Sequence, residues 1–301
     1  MLVVRCLWVR ALVMVCAVFC SNVVSADADG EEKIAAKALS KTIYLITGKG
    51  GNMGASIGED GTFLIDDKFA PLTGSIVKQL KALGGDTPRF VINTHWHGDH
   101  TGGNENLGKQ GAIIVAHDNV RKRLSEDNFL EAFNAQIPAL SAIGLPTITF
   151  ANEVSFHLNG DTVEITHIAN AHTDGDSVVL FKKENILHAG DLFFNGFYPF
   201  IDIHHGGSLK GMLNAANLVL DMVDDSTQII PGHGPMADKK ALLVYRDMLS
   251  DAYEALRALK ADGKTVQQAI AAKPLAALDA NWGNGLFKTD RWIELIYDGL
   301  E

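Results

Sequence analysis

One short stretch limits what this chain can be more than any other: Thr94-His95-Trp96-His97-Gly98-Asp99-His100, directly after the apolar run Phe90-Val91-Ile92-Asn93. The run reads as a buried strand. Three imidazoles and a carboxylate crowded at its end are difficult to explain as an ordinary solvated loop. In an extended segment, side chains two apart point the same way, so His95 and His97 can grip one ion from one face. Gly98 reads as a sharp change of direction that turns Asp99 and His100 toward a second ion. Imidazole with carboxylate suits zinc, with iron and manganese as alternatives. A strand end is also a rigid place from which to hold loop ligands.

Three later positions extend the set. His172 lies in the polar turn Ala171-His172-Thr173-Asp174-Gly175, Asp191 follows His188-Ala189-Gly190, and His233 lies in Pro231-Gly232-His233-Gly234. Each falls at the terminus of a predicted strand with glycine close by. Singly, each reads as a turn residue. Beside the first cluster, each reads as a ligand.

Between these motifs the hydrophobic pattern alternates between two periods. Short apolar runs at 43–46, 55–57 and 62–65 are separated by glycine turns and read as a meander of strands. Ile76, Val77, Leu80 and Leu83 then fall at helical spacing before Gly84-Gly85. A strand at 112–115 precedes a helix predicted over 119–136. The second half predicts strands at 154–158, 162–168, 177–181, 186–188 and 228–230, helices at 209–222 and 239–259, and short helices beyond. Alternating strands and helices in both halves, each half opened by a meander, predict an α/β fold with two sheets face to face and helices outside, a four-layer αβ/βα sandwich.

Residues 1–26 are set apart. Arg5 and Arg10, an apolar run over 11–19 and the small residues Val24-Ser25-Ala26 follow the layout of a secretory signal, with cleavage expected after Ala26. The apolar run falls short of the roughly 20 residues that a membrane-spanning helix needs. One domain over 27–301 is expected, periplasmic or secreted. All three cysteines (Cys6, Cys16, Cys20) fall in the signal, so neither a disulfide nor a thiolate ligand is expected in the mature chain. Cleavage removes two of the 26 basic residues and none of the 36 acidic ones, taking the net charge from −10 to −12. Nucleic acid and anionic membrane surfaces are therefore not expected partners. A small-molecule substrate is.

The string from Thr94 to Gly103 resembles the signature of the metallo-β-lactamase superfamily, and the later His-Thr-x-Gly, Gly-Asp and Gly-His-Gly motifs match in order. The resemblance covers essentially the whole chain after the signal. It implies that His95, His97 and His172 hold a first zinc, that Asp99, His100 and His233 hold a second, and that Asp191 bridges them. Asp99 and Asp191 are then the residues closest to the chemistry. The implied reaction is attack of a zinc-bound hydroxide on the carbonyl of an ester, thioester, lactone or amide. Two other activities known on this fold are hydrolysis of β-lactam antibiotics and a mononuclear iron, persulfide-dioxygenase-like oxidation. The missing cysteine separates this chain from β-lactamases that use one at the second zinc. Thr101 and Thr173 are candidates for fixing ligand geometry or for capping turns. Phe194, Phe197, Tyr198, His204 and His205 are placed along the substrate pocket, and Trp96 is expected to pack.

Overall fold

The computed structural model describes residues 33–300, so the predicted signal lies outside the described residues. The predicted meander opens a first sheet: β1 (Ala35–Ala38), β2 (Ile43–Thr47), β3 (Met53–Gly58) and β4 (Gly61–Ile65) pair antiparallel in turn. Helix α1 (Thr73–Ala82) crosses to β5 (Phe90–Ile92), which runs parallel to β4. Helices α2 (Gly98–Thr101) and α3 (Asn104–Lys109) cross to β6 (Ile113–His117), parallel to β5. After α4 (Asp118–Leu124) a separate hairpin forms from β7 (Asn128–Leu130) and β8 (Ala135–Ile137), and β9 (Ile148–Phe150) then completes the first sheet beside β6.

The second sheet begins with antiparallel β10 (Glu153–Leu158), β11 (Asp161–His167), β12 (Ser177–Phe181) and β13 (Ile186–His188). Helix α5 (Leu209–Met222) returns the chain to β14 (Gln228–Ile230), parallel to β13. Helices α6 (Lys239–Ala261), α7 (Val266–Ala271), α8 (Asp279–Trp282) and α9 (Thr289–Ile296) follow.

Strand alternation sorts the core into layers. Ile92, Val115, Ile165, Val179, Ile186 and Ile230 share one buried cluster, formed where the two sheets meet. Their sequence neighbours Val91 and Ile114 point the other way and pack with Ile76 and Leu80 of α1. Val178, Leu187 and Ile229 likewise pack with Met212 and Val219 of α5 and Leu249 of α6. The order is helix, sheet, sheet, helix, as the pattern predicts.

The predicted helix over 119–136 is a correction. It stops at Leu124, and the hairpin β7–β8 occupies the rest. The Asn128 amide donates to the carbonyls of Arg123 and Glu126, at 2.7 and 2.8 Å, closing off the helix end. Asn134 then makes the left-handed turn of the hairpin at φ 48°. Among the described residues, no helix is long and apolar enough to cross a membrane.

Candidate metal centre

All seven predicted ligands come from strand ends on one side of the two sheets: the loop after β5, the turn before β12, and the loops after β13 and β14. Backbone bonds fasten these loops to one another. Ser177 N–H donates to the Thr94 carbonyl at 2.8 Å, Gly232 N–H to the Gly190 carbonyl at 2.8 Å, and Asn52 N–H to the Gly232 carbonyl at 2.7 Å. The ligand-bearing segments are therefore tied into one frame.

The side chains gather into two groups. Ligand atoms of His95, His97, His172 and Asp191 lie within 4.8 Å of one another, as do those of Asp99, His100 and His233. Asp191 reaches both. Its Oδ1 is 3.1 Å from His100 Nε2, and its Oδ2 is 3.3 Å from His233 Nε2 and 3.5 Å from His172 Nε2.

The outer nitrogens reveal what the inner ones must be. His172 Nδ1 lies 2.8 Å from the Phe200 carbonyl, which can only accept, so Nδ1 carries the proton. His97 Nε2 lies 3.0 Å from Asp202 Oδ2 and donates to that carboxylate. In the neutral rings this leaves His97 Nδ1 and His172 Nε2 as lone pairs facing each other at 2.9 Å. Two lone pairs at that distance repel unless a cation lies between them. His100 Nδ1 likewise donates to Asp66 Oδ2 at 2.7 Å, directing Nε2 into the second group. His95 Nε2 is buried with no hydrogen-bond partner among the described residues. An orphaned imidazole nitrogen beside converging imidazoles and carboxylates fits a first-row divalent ion, with the outer bonds fixing each ring.

The electrostatics differ between the groups. Burial pushes His95 well down and His172 to about 4. Burial pushes His233 down too, but Asp191 and Asp99 outweigh it and raise the ring to about 9. His100 is lowered by burial and raised further by Asp191, Asp99 and Asp66, ending well above its ordinary value. Asp99, disfavoured by burial, is held down at about 2 by His100 and His233.

Two glycines let side chains approach the backbone. A Cβ on Gly51 would sit 2.1 Å from His100 Cε1, and one on Gly232 would sit 2.0 Å from Asp191 Oδ1. Gly98, by contrast, does not act as predicted. Its φ is not positive, a Cβ there would meet open space, and it opens α2 behind the extended His97. The turn is made by the start of a helix, which aims Asp99 and His100.

Thr101 and Thr173 do not touch ligand rings. Thr101 donates to the carbonyls of Trp96 and His97, and Thr173 to Asp176 Oδ1. Trp96 is buried and packs. The groups that do hold ligand rings, Asp66 and Asp202, are not among the predicted site residues.

A cavity of about 570 Å³ opens beside the centre, with His97, Asp99, Asp191 and His233 at its polar end. Its walls are the β7–β8 hairpin (Leu130, Phe133, Ile137) and the segment after Asp191 (Phe194, Phe197, Phe200). The predicted pocket loop is thus correct for Phe194 and Phe197 only. Tyr198 is buried against Trp292 at 4.3 Å, His205 bonds Asp202 at 2.8 Å, and His204 sits outside near Glu131.

Comparison with known proteins agrees with this architecture. The chain is 23% identical over 188 residues to the Beta-lactamase-like protein 2 homolog of Caenorhabditis elegans, covering 61% of this chain and 56% of that one. It is 22% identical over 220 residues to the Metallo-beta-lactamase type 2 of Elizabethkingia meningoseptica, covering 71% and 77%. Matches to the first two curated relatives span only about half of their length, 56% and 40%. The solved metallo-beta-lactamase from Pontibacter korlensis superposes with a TM-score of 0.58 at 21% identity, over 73% of this chain and all of that one, which establishes likeness of fold. The family model of the metallo-beta-lactamase superfamily matches residues 42–233, a span that includes every ligand candidate. The chain belongs to the metallo-beta-lactamase superfamily.

Proposed function

We propose that this protein is an exported hydrolase with two zinc ions, cleaving an ester, thioester, lactone or amide. The observation that carries this reading is the pair of inward lone pairs on His97 and His172 beside a complete second group. His95, His97 and His172 would hold one ion, Asp99, His100 and His233 the other, and Asp191 both. Ions there would lower the pKa of a coordinated water toward about 7 and polarise a carbonyl oxygen.

The chain's own residues supply position and dryness. Asp99, ionised and facing the cavity, can accept a hydrogen bond from the attacking water and so orient it. Asp66 and Asp202 keep the rings of His100 and His97 in one orientation. The aromatic wall gives the approach to the reacting carbonyl an apolar surface. Export is supported by the signal-like layout ending at Ala26.

β-Lactam hydrolysis is the second reading, favoured by likeness to the Elizabethkingia meningoseptica enzyme. Metal analysis of the purified protein, with turnover assays on a lactone, a thioester, an ester and nitrocefin, separates the readings. Two zinc ions per chain with turnover of an uncharged carbonyl substrate is the expected result. Turnover of nitrocefin alone would favour the second reading. One iron per chain with no hydrolysis would overturn both in favour of an oxidoreductase.

A further inference from the structure

We infer that the cavity selects an uncharged carbonyl substrate bearing an apolar acyl or aryl group and rejects one bearing a carboxylate; this deepens the hydrolase reading and rests on it. Among the described residues, no polar or charged side chain lines the cavity apart from the four of the metal centre. Its described walls carry no Lys, Arg, Ser, Thr, Asn or Gln to pair with an anion. The whole chain is acidic, with a net charge of −10. Arg123, just before the hairpin, is tied to Asp174 at 2.6 Å. A carboxylate on the substrate would lose water and gain no partner on the walls.

Part of that wall stands open to solvent. Phe133 is 45% exposed and Leu286 is 53% exposed, although both line the cavity. Phe133 meets Phe200 at 5.1 Å and Phe287 at 5.8 Å, which joins the hairpin to the aromatic segment as one apolar surface. A volume of about 570 Å³ is within the range that encloses a small molecule. In the reaction, water adds to the carbonyl and the acyl–oxygen bond breaks; one of the water's protons goes to the alcohol and the other passes to solvent as the acid ionises. The acid product is an anion, so the same wall that admits the neutral substrate favours release of the product.

The test uses p-nitrophenyl esters of increasing chain length, each matched with an ester ending in an ω-carboxylate. With metal-loaded protein, kcat/KM should rise about fourfold per methylene until the cavity is filled. The carboxylate partners should fall at least about tenfold below their neutral matches. Leu286→Lys, at a half-exposed position, should narrow that gap by supplying a cation. A second readout needs no turnover: the neutral dye N-phenyl-1-naphthylamine should bind at least about tenfold more tightly than its sulfonate analogue, 1-anilinonaphthalene-8-sulfonate. Phe133→Ala should weaken the neutral dye. A flat chain-length series, or equal binding of the two dyes, overturns the inference. Absence of turnover of every ester, thioester, lactone and β-lactam tried with fully metal-loaded protein overturns the hydrolase reading instead, and the dye pair then decides the pocket by itself.

Discussion

His95 and His172 are held neutral by burial, whereas His100 and His233, a few ångströms away, are held toward the protonated state by carboxylates. The two groups use the same imidazole chemistry, so the contrast comes from their neighbours. Around His95 and His172 the hydrogen-bond partners are another imidazole, the Thr94 hydroxyl and the Phe200 carbonyl, and the one nearby carboxylate, Asp191, stands 3.8 and 3.5 Å off. Around the second, Asp66, Asp99 and Asp191 converge on His100. His95 and His172 can therefore receive a cation without displacing a proton, while His100 and His233 must each release one to do so. Sequence motifs alone make the two groups look equivalent.

The largest expected effect is at the residue the groups share. Asp191→Asn keeps the shape but removes the charge that faces both groups. On the proposed two-zinc reading it should reduce metal content from two ions per chain to one and activity by more than about 10³-fold. Mass spectrometry of the intact protein under native conditions, with turnover measured on the same sample, checks both numbers. Retention of two tightly held ions would show that the groups are independent.

The next effect separates the groups by the carboxylates behind them. Asp202→Asn loosens His97, and Asp66→Asn loosens His100. Each should cost about 10- to 100-fold in metal affinity, the first in the first group and the second in the second. Competition with a chromogenic chelator resolves the two binding steps. If both variants weaken the same step, the division into two groups is wrong.

pH then sharpens the contrast. As pH drops below about 9, apparent affinity of the second group should fall by at least about tenfold per unit, since His233 and His100 both bind protons there, while His95 and His172, lowered by burial, add no such dependence to the first group. The metal-free fold should feel both groups. His233 is raised from 6.5 to about 9, so its contribution is full below 6.5 and lost as pH rises through 9. His172 is lowered from 6.5 to about 4, so the unfolded chain takes up a proton that the folded chain refuses as pH falls from 6.5 through 4. Thermal unfolding in chelator should therefore give a highest Tm near 6.5, falling on both sides. A Tm that climbs steadily from 5 to 9 would contradict the assignment of protons.

What could be read from sequence followed how local the signal was. The layers were legible because Val91-Ile92, Val178-Val179 and Ile229-Ile230 each send neighbours to opposite faces of a sheet. Strand β1, Ala35–Ala38, carries almost no pattern because it is largely exposed, and β9 is exposed at two of its three positions. The β7–β8 hairpin reads as helix because Phe129, Leu130, Phe133 and Ile137 happen to recur near helical spacing. At the site, the ligands were legible as chemically distinctive residues beside glycines. Their supports were not. Asp66 lies 34 residues before the ring it holds and Asp202 lies 105 after, so only the fold connects them. Gly51 looks like one glycine of a turn, and its need for a bare backbone appears only when His100 packs against it.

The smallest effect tests whether contact with a ligand ring matters more than mere nearness to one. Thr101 is buried directly after His100, yet its hydroxyl donates to the backbone carbonyls of Trp96 and His97, at 3.2 and 3.0 Å. Thr101→Val keeps the volume and removes that donor. Stability should fall by about 1 kcal/mol. The second group's metal affinity should change by less than about tenfold, because Asp66 still fixes the His100 ring. Chemical denaturation and the same chelator competition measure the two quantities. If Thr101→Val weakened the second group as much as Asp66→Asn, affinity there would depend on the shape of α2 rather than on the carboxylate behind the ring. The contrast between the groups would then be one of backbone rigidity and not of charge.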